Sequence, residues 1–332
     1  MKNPYIGHES QLYGVEEHRL VGGKGDGMRL LQVNNGRGLA FTVSADRCAD
    51  ISRLSLDGVN MGYFAPCGYV APAYYDHVGD GFLKSFTAGF LTTCGLNGVG
   101  TPCEDAGESL PLHGSIANTP AERIWWEMKE DAIRIHAAVP DEGIFSHKLV
   151  LERTIVCSLL KNEIMIRDTV TNEGDADYPV MLLYHMNMGY PLLSEQAELY
   201  IPSAEVTPRN ERAAEGLNVW DRMEKPQAGF EEQCYFHRFE GEGLAAIYNP
   251  QVGKGLAIRF SPENLPYFTE WKMMGTRDYV LGLEPGNCHP DGRAKMRAEG
   301  KLTILPPGGQ AEYQVQISLL SGDEQWERTK NA

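Results

Sequence analysis

Three side chains of the kind that transfers protons stand in apolar, turn-rich stretches of the sequence. His113 precedes a glycine in LPLHGS, His185 ends the apolar run MLLYH, and Glu284 ends YVLGLE before a Pro-Gly turn. Burying such groups is costly unless they are hydrogen-bonded or have a task. A carboxylate with a raised pKa and an imidazole near neutrality suit general acid-base chemistry. Taken singly, each residue also fits a structural role, such as holding a turn or packing in the core.

Strands are the elements that would position these groups, because apolar and polar residues alternate along much of the chain. In EIMIRDTVTN, residues 163–172, Ile164, Ile166 and Val170 alternate with polar residues, and residues 131–139, 147–156 and 312–320 show the same period. A period of two places one face of a strand in the core and the other in water. Clean helical stripes are missing, which argues against βαβ units and a parallel sheet. We therefore predict an all-β fold, a single large antiparallel β-sandwich over residues 1–332 with few short helices.

Composition narrows the class of protein. The 332-residue chain is 42% hydrophobic and 23% charged, as is typical of a globular protein. Its formal charge of −15 argues against nucleic acid or an anionic membrane as a partner, although it does not exclude a small anionic substrate. Apolar runs long enough to span a bilayer and a signal-peptide pattern are both missing. We therefore expect a cytoplasmic location.

The cysteines indicate neither a disulfide framework nor a zinc ribbon. There are seven, an odd number, and they are scattered without a CxxC pair. Free thiols in a reducing compartment are the simplest interpretation. An active-site thiol at Cys94 or Cys288 is left open.

Taken together and in order, these stretches resemble the aldose 1-epimerase (galactose mutarotase-like) superfamily, and more narrowly a bacterial branch of it. The stretches that carry the resemblance are DRCADI at 46–51, LTTCGL at 91–96, LHGSIANTPAE at 112–122, LLYHMNMGYPLL at 182–193, and EWKMM with YVLGLEPG within 270–286. The resemblance extends over about residues 8–320. It implies a large β-sandwich with a sugar site in the concave face of one sheet, and an isomerase that opens and recloses a pyranose ring.

The resemblance also implies roles for the three proton-transferring residues. Glu284 matches the general base that takes the proton of the anomeric hydroxyl, and His185 matches the general acid that protonates the ring oxygen. His113 matches a second histidine that binds near that oxygen. The predicted activity is therefore anomer exchange of a monosaccharide or sugar derivative by acid-base ring opening, which requires neither a metal nor an organic cofactor.

Seven further side chains are candidates for binding the sugar: Arg47, Asp50, Asn187, Glu231, Glu232, Trp271 and Lys272. The first two also fit a buried ion pair with each other, and both interpretations remain open at the sequence level. Asn187 is the weakest of the seven.

The other four candidates follow from their places along the chain. Glu231 and Glu232 stand near the position where the superfamily has an aspartate for sugar hydroxyls, and the longer side chain leaves open which hydroxyl is met. Trp271 and Lys272 stand where the superfamily has a strand that lines the site. A tryptophan offers an apolar platform to a sugar ring, and a lysine suits a carboxylate, a phosphate or a hydroxyl. A surface or packing role is the alternative for all four.

Two other classes of protein remain open. A non-catalytic carbohydrate-binding protein would have aromatic platforms without an opposed acid and base. A metal-dependent sugar isomerase or lyase would use His113, His185, Glu284 and His289 as ligands, since histidine with carboxylate suits Zn, Mn or Fe; the sequence has no H-x-H pair. The expected partner in solution is a small-molecule sugar. The sequence identifies neither the sugar nor the oligomeric state, and a homodimer is left open.

Overall fold

Antiparallel strands form most of the regular structure in the computed structural model, which describes residues 4–129 and 131–331. The strands in chain order are β1 (Gly14–Arg19), β2 (Arg29–Asn34), β3 (Leu39–Ser44), β4 (Asp50–Leu56), β5 (Val59–Asn60), β6 (Tyr63–Phe64), β7 (Ala88–Gly89), β8 (Leu91–Leu96), β9 (Cys103–Asp105), β10 (Glu108–Leu110), β11 (Arg123–Met128), β12 (Ala132–Glu142), β13 (Lys148–Ser158), β14 (Glu163–Asn172), β15 (Tyr178–Met188), β16 (Glu198–Tyr200), β17 (Glu205–Pro208), β18 (Gln233–Arg238), β19 (Gly243–Asn249), β20 (Lys254–Phe260), β21 (Tyr267–Met274), β22 (Tyr279–Gly286), β23 (Thr303–Leu305) and β24 (Gln310–Ser321). The predicted domain bounds, 1–332, include residues 1–3, 130 and 332, which lie outside the described residues.

The helices are short. They are α1 (Glu211–Glu215), α2 (Arg293–Ala298) and α3 (Asp323–Lys330), with 3-10 turns at Glu9–Gln11, Gly23–Gly25, Pro72–Tyr74, Gly79–Lys84, Ile116–Asn118 and Leu217–Val219. The prediction of few short helices is confirmed. In the part of the chain that the structure describes, every helix is too short or too polar to cross a bilayer.

Two large sheets form the sandwich. The eight-stranded sheet has the order β11-β12-β13-β14-β24-β20-β19-β16, and the seven-stranded sheet has the order β17-β18-β21-β22-β15-β23, with β8 also paired to β15. A five-stranded sheet, β1 to β5, contributes to the same hydrophobic core. Neighbouring strands in these three sheets run antiparallel. The predicted all-β antiparallel sandwich is confirmed.

The core between the sheets is built from alternate residues of each strand. Ile164, Ile166 and Val170 of β14 are fully buried, as their alternation predicts. Leu182 and Tyr184 of β15 belong to the same core cluster and come from the facing sheet. Burying a side chain of this size stabilises the fold by about 1.5–3 kcal/mol. The two sheets therefore hold each other in a fixed arrangement.

The second face of β15 points away from this core. Met181 and Leu183 pack with Cys94 and Cys288 in a smaller cluster on the outer side of the seven-stranded sheet. His185 follows at the same period of two. The strand is therefore buried on both faces, and its outer face carries the histidine.

Candidate functional site

The register of two neighbouring strands brings His185 and Glu284 together. Leu183 of β15 pairs with Gly286 of β22, and Met186 pairs with Leu283, which sets His185 directly opposite Glu284. Side chains at such cross-strand positions are within contact distance. Nε2 of His185 lies 3.3 Å from Oε1 of Glu284, and both residues are buried, with 5% and 2% of their surfaces exposed.

The glycine of YVLGLE makes room for the carboxylate. Gly282 precedes Glu284 by two residues and so faces the same side of β22. A β-carbon at Gly282 would lie 2.2 Å from Oε1 of Glu284 and 3.0 Å from the β-carbon of Trp271. Any larger residue at position 282 would therefore force the carboxylate to move.

His113 reaches the site from a loop. Its φ is +60°, an uncommon value for a residue other than glycine, which is found mostly where the surrounding structure fixes the backbone. The N–H of His113 donates to the carbonyl of Gly100 at 3.0 Å, and its carbonyl accepts from the N–H of Gly95 at 3.0 Å. The ring centroid lies 5.6 Å from that of His185. The backbone on both sides of His113 therefore holds the ring toward the pair.

A cavity of about 350 Å³ opens above these side chains. Phe82, Leu83 and Phe86 cover part of it, and Trp271 lies beside the polar groups. The polar part of the wall consists of Asp80, Thr101, His113, His185, Arg209, Glu232, Cys234, Thr269 and Glu284. Phe82 packs 5.3 Å from His113 and Phe86 packs 5.2 Å from His185, measured between ring centroids. The volume is at the lower end of the range for small-molecule sites, which fits a monosaccharide.

Burial sets the protonation states of the three residues. It lowers the pKa of His185 to about 3, and the nearby His113 ring adds to this. Burial lowers the pKa of His113 to about 4, with a smaller contribution from the charge of Arg209. Burial also raises the pKa of Glu284 well above its usual range, helped by the neighbouring Glu232. At neutral pH both imidazoles are therefore neutral, and burial favours the protonated form of Glu284.

Hydrogen-bonding capacity in the site is left unused. Nδ1 of His113, Nδ1 of His185 and Oε1 of Glu284 are buried and have no hydrogen-bond partner among the described residues. Leaving a buried polar atom unpaired costs about 1–3 kcal/mol, so such atoms are uncommon and need an explanation. Three of them at one cavity indicate a site for a polar ligand.

Two of the predicted sugar-binding residues line the same cavity. The indole Nε1 of Trp271 donates to Oε2 of Glu232 at 2.6 Å. The Trp271 ring lies 5.3 Å from the His185 ring, at an angle of 78°. The structure thus brings together five residues that the sequence singled out: Glu284, His185, His113, Trp271 and Glu232.

Lys272 does not reach the cavity, because adjacent residues of a strand face opposite sides. With Trp271 on the outer face of β21, Lys272 points inward and is fully buried. Its ammonium donates to the carbonyl oxygens of Val219 at 3.3 Å and Arg222 at 2.5 Å. Lys272 therefore stabilises the segment that covers this part of the sheet.

Two more candidates lie beside the site without lining it. Asn187 is fully buried, and its Nδ2 donates to the carbonyl oxygen of His185 at 2.9 Å. Glu231 is exposed, and its carbonyl oxygen accepts a hydrogen bond from Arg212 at 3.3 Å. Neither belongs to the residues that form the cavity wall.

Arg47 and Asp50 are also outside the cavity, and their described contacts do not include an ion pair with each other. Asp50 accepts from Arg153 at 2.7 Å, and Arg153 also binds Asp168 at 2.7 Å. Nη1 of Arg47 donates to the carbonyl oxygen of Val70 at 2.9 Å. All of these side chains are buried, so the motif DRCADI contributes to a buried ionic network between the sheets.

The thiols left open by the sequence are buried below the outer face of the sheet. Cys94 and Cys288 are free and almost completely buried. Burial raises the pKa of both thiols above the ordinary value, which disfavours the reactive thiolate. Neither cysteine lines the cavity.

His289 does not join the other histidines. Its ring packs 4.0 Å from that of Phe236 and 4.5 Å from that of Tyr267, and it is not part of the cavity wall. Among residues 4–129 and 131–331, clusters of three histidine, cysteine or acidic side chains arranged to hold a metal ion are not found.

Arg209 is a cavity residue that the sequence did not indicate. Its Nε lies 3.1 Å from Oδ1 of Asp291, and its Nη2 donates to the carbonyl oxygen of Pro290 and to Oγ1 of Thr101, both at 3.2 Å. The contacts join segments that are far apart in the chain, so nothing in the local sequence TPRNE marks this arginine. Only the fold could identify it.

The fold and the position of the cavity define a galactose mutarotase-like β-sandwich. A solved structure from Klebsiella pneumoniae subsp. pneumoniae, provisionally named an aldose 1-epimerase, matches with a TM-score of 0.89 at 28% identity, covering 96% of this chain and 86% of that chain. The galactose 1-epimerase of Lactobacillus acidophilus matches with a TM-score of 0.66 at 14% identity, covering 93% and 99%. A galactose mutarotase-like protein from Clostridium acetobutylicum matches with a TM-score of 0.67 at 13% identity, covering 94% and 99%. The last two show similarity of fold alone.

The chain belongs to the family described as a domain of unknown function, DUF4432, whose model matches residues 25–319. A search of curated proteins finds no match.

Proposed function

We propose that the protein exchanges the anomers of a monosaccharide, as an aldose 1-epimerase does. The observation that carries this proposal is the contact between Nε2 of His185 and Oε1 of Glu284, 3.3 Å apart in a cavity of sugar size. A carboxyl and an imidazole that share one cavity wall suit a reaction in which one proton is removed while another is delivered.

The pair offers a proton donor and a proton acceptor. Burial favours the protonated form of Glu284 and the neutral form of His185. One member is then a donor and the other an acceptor. The pKa directions favour the proton on Glu284 in the free site. The acid and base roles implied by the resemblance require the proton to pass to His185, whose Nε2 lies 3.3 Å from Oε1 of Glu284 without a hydrogen bond between them.

The reaction follows from this pairing of a donor with an acceptor. The acceptor takes the proton of the anomeric hydroxyl while the donor protonates the ring oxygen, and the bond between the anomeric carbon and the ring oxygen breaks. The product is an open-chain aldehyde. Rotation about the adjacent carbon–carbon bond presents the other face of the carbonyl, and the reverse transfers close the ring as the opposite anomer. Protons and electrons balance without a co-reactant.

The other cavity residues fit the binding of a sugar ring. The indole of Trp271 offers an apolar face to ring C–H groups and is fixed by its hydrogen bond to Glu232. The Glu232 carboxylate has acceptor capacity left for sugar hydroxyls. The unpartnered Nδ1 of His113 is a further group for a ring or hydroxyl oxygen.

Anomer exchange followed by NMR saturation transfer across a panel of monosaccharides tests the proposal. We expect at least one sugar to exchange faster with the protein than without it, and Glu284→Gln to lower that rate by about 10²–10⁴. Glu231→Gln is the matched control, since it makes the same change at an exposed residue outside the cavity and should keep the rate. A panel in which no sugar exchanges faster with wild type than with Glu284→Gln contradicts the proposal.

A further inference from the structure

The cavity wall contains one arginine among three acidic residues, Asp80, Glu232 and Glu284, in a chain whose formal charge is −15. Among the described residues that line the cavity, Arg209 alone carries a permanent positive charge. The sequence suggested Lys272 as a partner for a carboxylate or phosphate and Arg47 as a sugar-binding residue, and the fold places both outside the cavity. Arg209, and not Arg47 or Lys272, is the basic residue in the cavity wall.

Arg209 is held rigidly, with one amino group left over. Nε contacts Asp291, and Nη2 donates to Thr101 and to the carbonyl of Pro290. Nη1 donates to no oxygen atom of the described residues. A guanidinium whose conformation is already fixed loses little further freedom when it binds a ligand. The guanidinium also contacts the Cys234 thiol, and because a thiol is a weak acceptor, donor capacity remains for a ligand in the cavity.

The positive charge of Arg209 is only partly offset by its neighbour. Asp291 also binds Lys295, with 2.6 Å between Nζ and Oδ2. Two cations thus share one carboxylate at this end of the cavity, and the Glu232 carboxylate also acts on Arg209. Glu232 provides a negative charge near Trp271. Arg209 is therefore the cation toward which an anionic substituent would be oriented, away from Asp80 and Glu232.

We propose that Arg209 binds an anionic substituent of the sugar, so that the substrate is a sugar acid or a sugar phosphate rather than a neutral sugar. The inference rests on the proposed function for the identity of the ligand as a sugar. The planar guanidinium matches both carboxylate and phosphate, and Arg209 acts as a specificity-determining residue.

Equilibrium binding to the full chain tests this assignment. The probes are glucuronate and galacturonate, their neutral counterparts glucose and galactose, and the 6-phosphates of these two hexoses, titrated by calorimetry. We expect at least one acidic sugar to bind about 10- to 100-fold more tightly than its neutral counterpart. This is the difference in affinity that one hydrogen bond to a charged group contributes. The uronate and phosphate arms identify which anion is recognised.

Variants assign the preference to the residue. Arg209→Gln should bring the affinity ratio of acidic to neutral sugar close to one, and Arg209→Lys, which keeps the charge without the planar fork, should retain part of it. Arg238→Gln is the matched control because it removes an exposed arginine outside the cavity, and it should keep the full ratio. If Arg209→Gln does not fold, the wild-type ratio and Arg209→Lys carry the test.

The proposal is overturned if every acidic sugar binds no more tightly than its neutral counterpart, or if Arg209→Gln keeps the preference. Its failure is separate from that of the proposed function, because binding is measured without catalysis. Preference for an acidic sugar with no anomer exchange supports Arg209 and contradicts the mutarotase activity. Anomer exchange of neutral sugars by a protein that does not prefer acidic ones supports the mutarotase activity and contradicts the role of Arg209.

Discussion

The Glu284 carboxylate can occupy its position because residue 282 is a glycine. Glu284 and Gly282 share a face of β22, and a β-carbon at Gly282 would overlap Oε1 of Glu284. The overlapping atom is at the flexible end of a side chain and can move away, and the β-carbon of Trp271, at 3.0 Å, has to shift only by a few tenths of an ångström. A displacement of this kind changes the geometry of the His185–Glu284 pair more than it changes stability.

Gly282→Ala should therefore lower the anomer-exchange rate by about 10²-fold while the protein stays folded. Circular dichroism and thermal unfolding check the fold, and saturation transfer measures the rate. Gly241→Ala is the control, since a β-carbon there meets no atom within 4 Å. Full activity in Gly282→Ala would show that the carboxylate position matters little.

Glu284 should also limit stability at higher pH. Its pKa is raised in the folded protein, so the folded state binds more protons than the unfolded state above the ordinary value of 4.5. The free energy of unfolding then falls as pH rises through this range. Glu284→Gln removes the ionisable group, and its stability relative to wild type should increase from pH 5 to pH 8.

Urea denaturation at several pH values measures this difference, with Glu231→Gln as the exposed control. A Glu284→Gln variant whose stability difference from wild type is the same at pH 5 and pH 8 would argue against a raised pKa.

At the scale of the strand, the period of two decides which of two adjacent residues reaches the site. Trp271 and Lys272 are neighbours in β21, so only one of them can face the cavity, and the sequence alone implied this restriction. It did not show which one, because the face depends on the pairing with β18 and β22. The alternation of β14 predicted its buried residues correctly because that strand has only one apolar face.

The network around Arg153 joins elements that the sequence does not connect. Asp50 comes from β4, Arg153 from β13 and Asp168 from β14, and Tyr184 of β15 donates to Asp168 at 2.8 Å. The partner of Asp50 is 103 residues away in the chain, which is why the sequence left its role open. Removing one partner of a buried ion pair strongly destabilises a protein, because the other charge is left buried without its partner.

Asp50→Asn should destabilise the protein by about 3 kcal/mol, because it leaves the charge of Arg153 with one carboxylate instead of two. The KM for the sugar should not change, since Asp50 is outside the cavity. Asp57→Asn, which removes the surface contact with Lys254, is the control and should cost less than about 1 kcal/mol. An increase in KM without loss of stability would indicate instead that Asp50 contributes to binding the sugar.

At the scale of the whole molecule, the buried histidines make stability depend on pH on the acid side. The pKa of His113 is about 4 in the fold, against an ordinary value of 6.5, because of burial and the charge of Arg209. Between these values the unfolded state binds more protons, so the free energy of unfolding falls as pH drops from about 6.5 to 4. The change from His113 is about 3 kcal/mol.

Urea denaturation at pH 7 and pH 4.5 checks this dependence, and His113→Gln should lose less stability over that interval than wild type. Equal losses in the two proteins would show that His113 is not buried in its neutral form.

The fold and the three residues His113, His185 and Glu284 at the cavity could be predicted from the sequence, whereas the rest of the cavity wall could not. Strand alternation is local, and His185 and Glu284 each mark the end of an apolar run. His113 was found by its resemblance to a family motif, although its loop has no regular pattern. Arg209 and the covering residue Phe82 enter the cavity through contacts between distant segments. Such contacts form only in the folded chain, so the local sequence does not indicate them.

The central claim is that His185 and Glu284 act as one proton-sharing unit on a sugar. The most direct measurement is the anomer-exchange rate of wild type, His185→Gln, Glu284→Gln and the double variant on the same sugar. If the two residues form one unit, each single variant loses most of the rate, and the double variant is no slower than the slower single variant. Single variants that keep the wild-type rate, or a double variant whose loss is the product of the two single losses, would contradict the account.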